Sequence, residues 1–212
     1  MLVEIWSDVV CPWCYIGKRR FEAALAGFEH RDEVEVVWRS FELDPSAPRD
    51  GSSIDLVAHL ARKYGVGHEQ AEGMLARVTA VAADEGLEYR MDVARRGSSF
   101  DAHRLLHAAR EQGRQDEMKE RLLRAYFTEG VQIADRDELR RLAAEVGVDA
   151  SALDDEGAFA EAVRADVEEA RELGVTGVPF FAIDRRFGVA GAQDSDSMLI
   201  TLRRAWEKRS VA

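Results

Sequence analysis

The chain holds two cysteines, and they stand two residues apart in Cys11-Pro12-Trp13-Cys14. At a strand-to-helix junction this spacing puts one sulfur at the helix N-terminus. The other lies one turn further in, close enough to form a disulfide without backbone movement. Unpaired N–H groups and the positive dipole end of the helix favour a thiolate at Cys11. Thiols in such places ionise at about 3.5 to 7.5 instead of about 8.5, and the thiolate is the species that attacks a disulfide. Pro12 suits the first helical position, where its missing N–H is no loss. The pattern predicts a redox dithiol, with Cys11 the nucleophile and Cys14 the resolving thiol that releases a mixed disulfide.

Two cysteines cannot build a structural disulfide framework or a four-cysteine zinc site. A Cys₂His₂ site stays open on paper. Of the five histidines, His103 and His107 share a helical face four residues apart. Metal pairs seldom open a helix directly after a first strand, so no metal is expected. A second chemical signal is Val178-Pro179, just ahead of an apolar run. In a redox fold a cis proline there turns the preceding backbone toward the thiols, where it can pair with an extended substrate; the plain reading is a trans turn at an edge strand.

Several other residues are weighed. Trp13 sits between the cysteines at a helix tip and is expected to form a partly exposed apolar rim. His103, beside Asp101 and Arg104, either relays a proton and positions substrate or is a packing histidine. Asp8, three residues before Cys11, either perturbs the thiol or simply caps a turn. Trp6 and Trp38 read as core. Lys18-Arg19-Arg20, Asp154-Asp155-Glu156 and the acidic stretch from Asp166 to Glu169 read as solvated helix faces.

These residues need elements to hold them. Leu2 to Trp6 alternates as a strand does. From Pro12 the apolar positions Trp13, Ile16, Phe21, Leu25 and Phe28 recur at helical spacing. Val34 to Leu43 reads as a second strand. Pro45 and Pro48 mark a loop and a boundary. Helices are expected at Ile54–Tyr64, Glu69–Glu85, Ser99–Gln112, Gln115–Glu129, Arg136–Val146 and Phe159–Leu173, with glycines as stops. Phe180 to Ile183 and Phe187 to Ala190 form a hairpin around Asp184-Arg185-Arg186. Ser195 to Lys208 closes the chain as an amphipathic helix. The fold class is α/β, a split domain of residues 1–50 and 174–212 carrying an all-helical insertion, 51–173.

The formal net charge is −11, which disfavours nucleic acid and anionic lipid as partners. The N-terminal sequence lacks a basic start followed by an apolar stretch, and no run approaches the roughly 18 apolar residues of a membrane span. A cytoplasmic protein is expected, as monomer or dimer.

The segments SDVVCPWCYIGKRRFE, SSFDAHRLLHAA and TGVPFFAIDRRFGVAGAQ together resemble the DsbA family of thioredoxin-like proteins, in its FrnE-like branch. The resemblance runs the length of the chain and implies a thioredoxin-like fold with a helical insertion. It also implies cysteine roles for Cys11 and Cys14, a cis bond at Pro179, and a place for His103 over the active site. Pro12, Trp13, Val178, Pro179 and His103 are then the expected substrate-contacting residues. The branch is related to the 2-hydroxychromene-2-carboxylate isomerases and kappa-class glutathione transferases, in which a serine typically stands at the Cys11 position. Periplasmic DsbA has Pro-His between its cysteines, whereas Trp13 here cannot become cationic, so a milder oxidant is expected.

The expected function is thiol–disulfide exchange with a protein or small-thiol substrate. No bound cofactor is needed, and glutathione or another small thiol is a candidate co-substrate. In a reducing cytosol, reductase or isomerase work is favoured over net oxidation. Two rivals remain at this stage: a glutathione-dependent isomerase or transferase of small aromatic molecules, for which Cys14 is dispensable, and a polypeptide-binding holdase that needs neither thiol.

Overall fold

Alternation along the first strand decides which way the sheet faces. In β1 (Leu2–Ser7), Val3 and Ile5 point into a layer with Phe21, Phe28, Phe181, Met198 and Leu202. Trp6 points the other way, against Ala170, Val175 and Ala182. Both faces of the sheet are therefore covered. The computed structural model describes residues 1–49 and 55–209; the expected boundary at residues 50 and 51 and the helix start at Ile54 lie outside them.

α1 (Pro12–Ala26) crosses from β1 to β2 (Glu35–Ser40), and the two strands pair in parallel. A hairpin of β3 (Phe180–Ile183) and β4 (Phe187–Ala190) adds to the other side of β1, antiparallel, giving the order β2-β1-β3-β4. In its three-residue loop Asp184 and Arg185 take φ of 47° and 54°, left-handed values that fold the chain back so that the Arg186 N–H meets the Ile183 carbonyl at 3.0 Å. Asp184 then accepts the Leu2 N–H at 2.7 Å, fastening the hairpin to β1.

Between β2 and β3 lie α2 (Leu56–Tyr64), α3 (His68–Asp84), α4 (Phe100–Glu111), α5 (Gln115–Arg124), α6 (Arg136–Glu145) and α7 (Ala160–Glu172). The last helix, α8 (Ser195–Arg209), packs beside α1. Within the inserted helices Leu105, Ala109, Met118, Leu122, Phe127, Leu139 and Leu142 form one core, and Val9, Tyr15 and Ile16 join it from the sheet half. Each leucine, methionine, phenylalanine, valine or isoleucine among them contributes about 1.5–3 kcal/mol when fully buried, and the shared cluster ties the two halves together.

Two element ends fall several residues short of the sequence reading. β2 stops at Ser40, not Leu43, because the next residues turn inward: the Phe41 carbonyl meets His103 and the Leu43 N–H meets Asp8. The expected helix to Glu129 ends at Arg124 and widens into a π-type turn, Ala125–Glu129. Gly130 closes that turn at φ 69°, where a Cβ would fall 2.7 Å from Val93 Cβ. Finally, α7, grouped by sequence with the insertion, also lies against the sheet. Its Asp166 carbonyl accepts the Trp6 indole N–H at 2.9 Å, and its Asp166 carboxylate accepts the Ser40 N–H at 2.8 Å.

Candidate functional site

β1 ends at Ser7, a short turn carries the chain to Cys11, and α1 opens at Pro12; that junction holds both sulfurs. Cys11 is the N-cap residue, in extended conformation, and Pro12 opens the helix. The Cys14 N–H bonds the Cys11 carbonyl at 3.0 Å, so the first turn brings the two side chains together. Both thiols are free. Cys14 is fully enclosed, and Cys11 is 4% exposed, far less than a freely projecting helix-tip sulfur. Trp13 between them is 43% exposed.

The Val178–Pro179 peptide is cis. The Val178 carbonyl oxygen lies 3.5 Å from Cys11 Sγ, and the Pro179 carbonyl accepts the Gly191 N–H at 2.8 Å. Gly17 explains how this loop gets so close to α1. A Cβ there would sit 2.8 Å from Pro179 Cγ, so only a residue without a side chain lets the helix lie against the proline. From the insertion, Tyr89 donates its hydroxyl to the Pro12 carbonyl at 2.6 Å, pinning the residue pair between the cysteines.

The electrostatics depart from the single-thiol argument. Its hydrogen bond with Cys14, with burial added, pushes the Cys11 thiol up; the helix-start N–H of Cys14 works against this but is outweighed. Burial also pushes Cys14 up. It is more than offset by the Cys11 hydrogen bond, the Lys119 charge and the Ser7 hydroxyl, which leave Cys14 lowered. The reason is that the helix-dipole argument treats one sulfur, whereas here two buried sulfurs titrate as a pair. Ionisation is favoured at the inner sulfur, Cys14, and disfavoured at Cys11.

Asp8 is no ordinary turn residue. It is completely buried and accepts the Leu43 N–H at 2.8 Å and the Val10 N–H at 3.4 Å. His103 Nε2 lies 3.4 Å from Asp8 and 3.1 Å from the Phe41 carbonyl. Burial raises the Asp8 carboxyl, but the His103 hydrogen bond and charge and the Leu43 N–H overcome it and hold it low. His103 itself is 1% exposed. The expectation of direct substrate contact gives way, because α4 is packed against the loop after β2 and leaves the ring no open side. Trp6 and Trp38 are core, as read from sequence. Lys18 is not a solvated residue: it is buried, with Glu22, Asp116 and Glu120 around it. Asp166 is likewise buried, against His107 and Arg39.

His103 and His107 do not converge on the cysteines; each faces its own aspartate. Among the described residues no group of three or more His, Cys, Asp or Glu side chains could hold a metal ion, and no helix is long and apolar enough to cross a membrane.

Sequence reasoning passed over Lys119. Its signal was available: on α5 it falls in helical phase with Gln115, Met118, Leu122 and Leu123, the stripe that faces inward.

The family model described as DSBA-like thioredoxin domain matches residues 2–203. An uncharacterized protein, YwbO, from Bacillus subtilis (strain 168) is 31% identical over 187 residues, covering 85% of this chain and 86% of its own. Among solved structures, a probable DsbA oxidoreductase from Streptomyces coelicolor is similar at TM-score 0.92 and 48% identity, over 98% of this chain and 90% of that one. The cytosolic disulfide reductase DsbM from Pseudomonas aeruginosa shares the fold at TM-score 0.68 and 18% identity, over 98% and 99% of the two chains. Its structure with GSH is similar at TM-score 0.63.

Proposed function

This chain belongs to the DSBA-like thioredoxin family, and on that premise we propose that it is a thiol–disulfide oxidoreductase working through Cys11 and Cys14. One observation carries the reading: two free cysteines at the start of one helix, the Cys14 N–H on the Cys11 carbonyl at 3.0 Å, with the Val178 carbonyl 3.5 Å from the outer sulfur.

In the proposed cycle the reacting dithiol has lost one proton, and transfer of the other from Cys11 to Cys14 leaves the thiolate at Cys11, the sulfur nearer the surface. Cys11 then attacks a substrate disulfide, forming a mixed disulfide and expelling one substrate thiolate. Cys14, deprotonated again, attacks Cys11 Sγ; the internal disulfide forms and the second substrate thiolate leaves. Two electrons pass from the cysteines to the substrate. The exposed Trp13 ring and the Pro12 and Val178-Pro179 backbone are the surfaces offered to substrate. His103 acts from inside, by holding Asp8.

A glutathione-like thiol is a candidate co-substrate; the GSH complex of DsbM supports this by analogy of fold. No metal or bound organic cofactor takes part in the proposed cycle. The cytoplasm is the proposed compartment, in line with the cytosolic DsbM, and there the reduced form and reductase or isomerase work are favoured.

The test is turnover of insulin and of glutathione disulfide by the wild type, Cys11→Ser and Cys14→Ser. Cys11→Ser is expected to lose all turnover, and Cys14→Ser to stall as a trapped mixed disulfide. Full activity in Cys14→Ser overturns the dithiol mechanism and favours the isomerase-type rival. Chain capture that survives alkylation of both thiols favours a holdase.

A further inference from the structure

α1 has two grips on the loop that carries the cis proline. The first is Gly17, whose missing side chain admits Pro179; a Cβ there would also lie 3.5 Å from the Ala192 Cβ. The second is Arg20, about one turn further along. Its Nη1–H donates to the Ala192 carbonyl at 2.8 Å, and its Nε–H donates to Glu85 at 2.6 Å. Sequence reads Arg20 as part of a solvated face. Only 20% of its side chain is exposed, however, and 24% of that of Glu85. A guanidinium suits the place, because its rigid planar fork holds a carboxylate and a carbonyl in two directions at once.

From Ala192 to the outer sulfur the path is short. Ala192 follows Gly191, whose N–H holds the Pro179 carbonyl at 2.8 Å. The residue before Pro179 places its own carbonyl 3.5 Å from Cys11 Sγ. The other end of the grip is anchored in the insertion. Glu85 caps the C-terminus of α3, and the chain turns at Gly86 with φ 73°. Four residues after Glu85, the Tyr89 hydroxyl meets the Pro12 carbonyl at 2.6 Å. One short segment of the insertion therefore holds the cysteine turn through Tyr89 and the facing loop through Arg20.

We propose that Arg20 is a positioning residue for substrate binding: braced by Glu85, it holds the Ala192 carbonyl and so keeps the Val178-Pro179 loop at the separation from Cys11 that an extended disulfide substrate bridges. The inference rests on the oxidoreductase reading and adds to it how the substrate side of the site is held. Arg20 makes and breaks no covalent bond. A loop released from it must be ordered again each time substrate binds, which costs affinity. Once substrate is in place the sulfurs meet it as before, so the loss falls on KM and spares kcat.

The experiment compares the full chain with Arg20→Met, which keeps the apolar stem and removes both hydrogen bonds. The KM for insulin is expected to rise about tenfold, the scale of one charge-assisted hydrogen bond, with kcat and the rate of Cys11 alkylation by iodoacetamide within about twofold. Hydrogen exchange of the Gly191 amide is expected to quicken about tenfold while the α8 amides keep their rates. Arg20→Lys, whose ammonium is a single point charge, is expected to recover part of both effects. A folded Arg20→Met with KM and Gly191 exchange unmoved overturns the proposal, and so does a fall in kcat at constant KM. Should that variant not fold, Glu85→Ala removes the brace and leaves the guanidinium; faster Gly191 exchange there supports the proposal, and an unmoved rate overturns it. A chain whose Gly191 amide responds in this way, but which turns over no disulfide even unsubstituted, retains the grip on the loop and loses the oxidoreductase reading.

Discussion

Two lysines are buried against the same indole and live in opposite surroundings. Lys18, on α1, stands 5.9 Å from the Trp38 ring, and Lys119, on α5, stands 5.4 Å from it. Lys18 has carboxylates on three sides: Glu22, Asp116 at 3.2 Å and Glu120 at 3.2 Å. Burial alone would lower it, yet the Asp116, Glu22 and Glu120 charges raise it overall. Lys119 has no carboxylate ion pair among the described residues, and burial wins. One cation clamps α1 to α5 and is structural. The other has burial without a partner and weakens the fold at neutral pH. Equal burial, then, says nothing about role; the partner does.

The largest test of that contrast is stability against pH. Lys119 ionises lower folded than unfolded, so the unfolded chain binds more protons between about 8 and about 10.5 and stability rises with pH across that window. Lys119→Met is expected to stabilise the reduced chain by roughly 2–3 kcal/mol at pH 7, with the gap closing by pH ~10.5. Urea unfolding at several pH values reads it, and a loss of stability at pH 7 would break the comparison.

Lys18 has the opposite sign. Its folded value is raised, so its contribution is fully present below the unfolded value and is lost as pH climbs through the folded one. Lys18→Met is expected to cost about 1–2 kcal/mol in the same unfolding experiment, a modest figure because Glu22 and Asp116 are 40% and 59% exposed.

Asp8→Asn sharpens the other side. The Asp8 charge raises Lys119, so its removal should lower the Lys119 midpoint by a few tenths of a pH unit to about one while leaving Lys18 in place. Lysine Cε titration measures both at once. The smallest effect is expected from Glu22→Gln, about 0.5 kcal/mol or less on stability. A loss as large as that of Lys18→Met would show that Glu22 alone anchors Lys18.

Much of the frame was readable from residue order. Pro12 at N1, the 3–4 spacing through Phe28 and the apolar run after Pro179 announced α1 and β3, and the structure has them at Pro12–Ala26 and Phe180–Ile183. The pairing of Cys11 with Val178 was legible only because two motifs are each short and local. The roles of Asp8, His103, Lys18 and Lys119 were not. Asp8 looks like a turn cap and Lys18 like a solvated face until α4 and α5 fold over them.

By itself, the sequence determined which elements form and where two sulfurs meet, since periodicity, proline geometry and a two-residue spacing are matters of neighbours along the chain. Tertiary packing alone decided which sulfur keeps the proton, which lysine finds carboxylates and which histidine loses its access to solvent. Burial and the field of distant charges set those outcomes, and both arise from residues about a hundred positions apart being brought to one indole and one helix start, as Lys18 and Glu120 are at 3.2 Å.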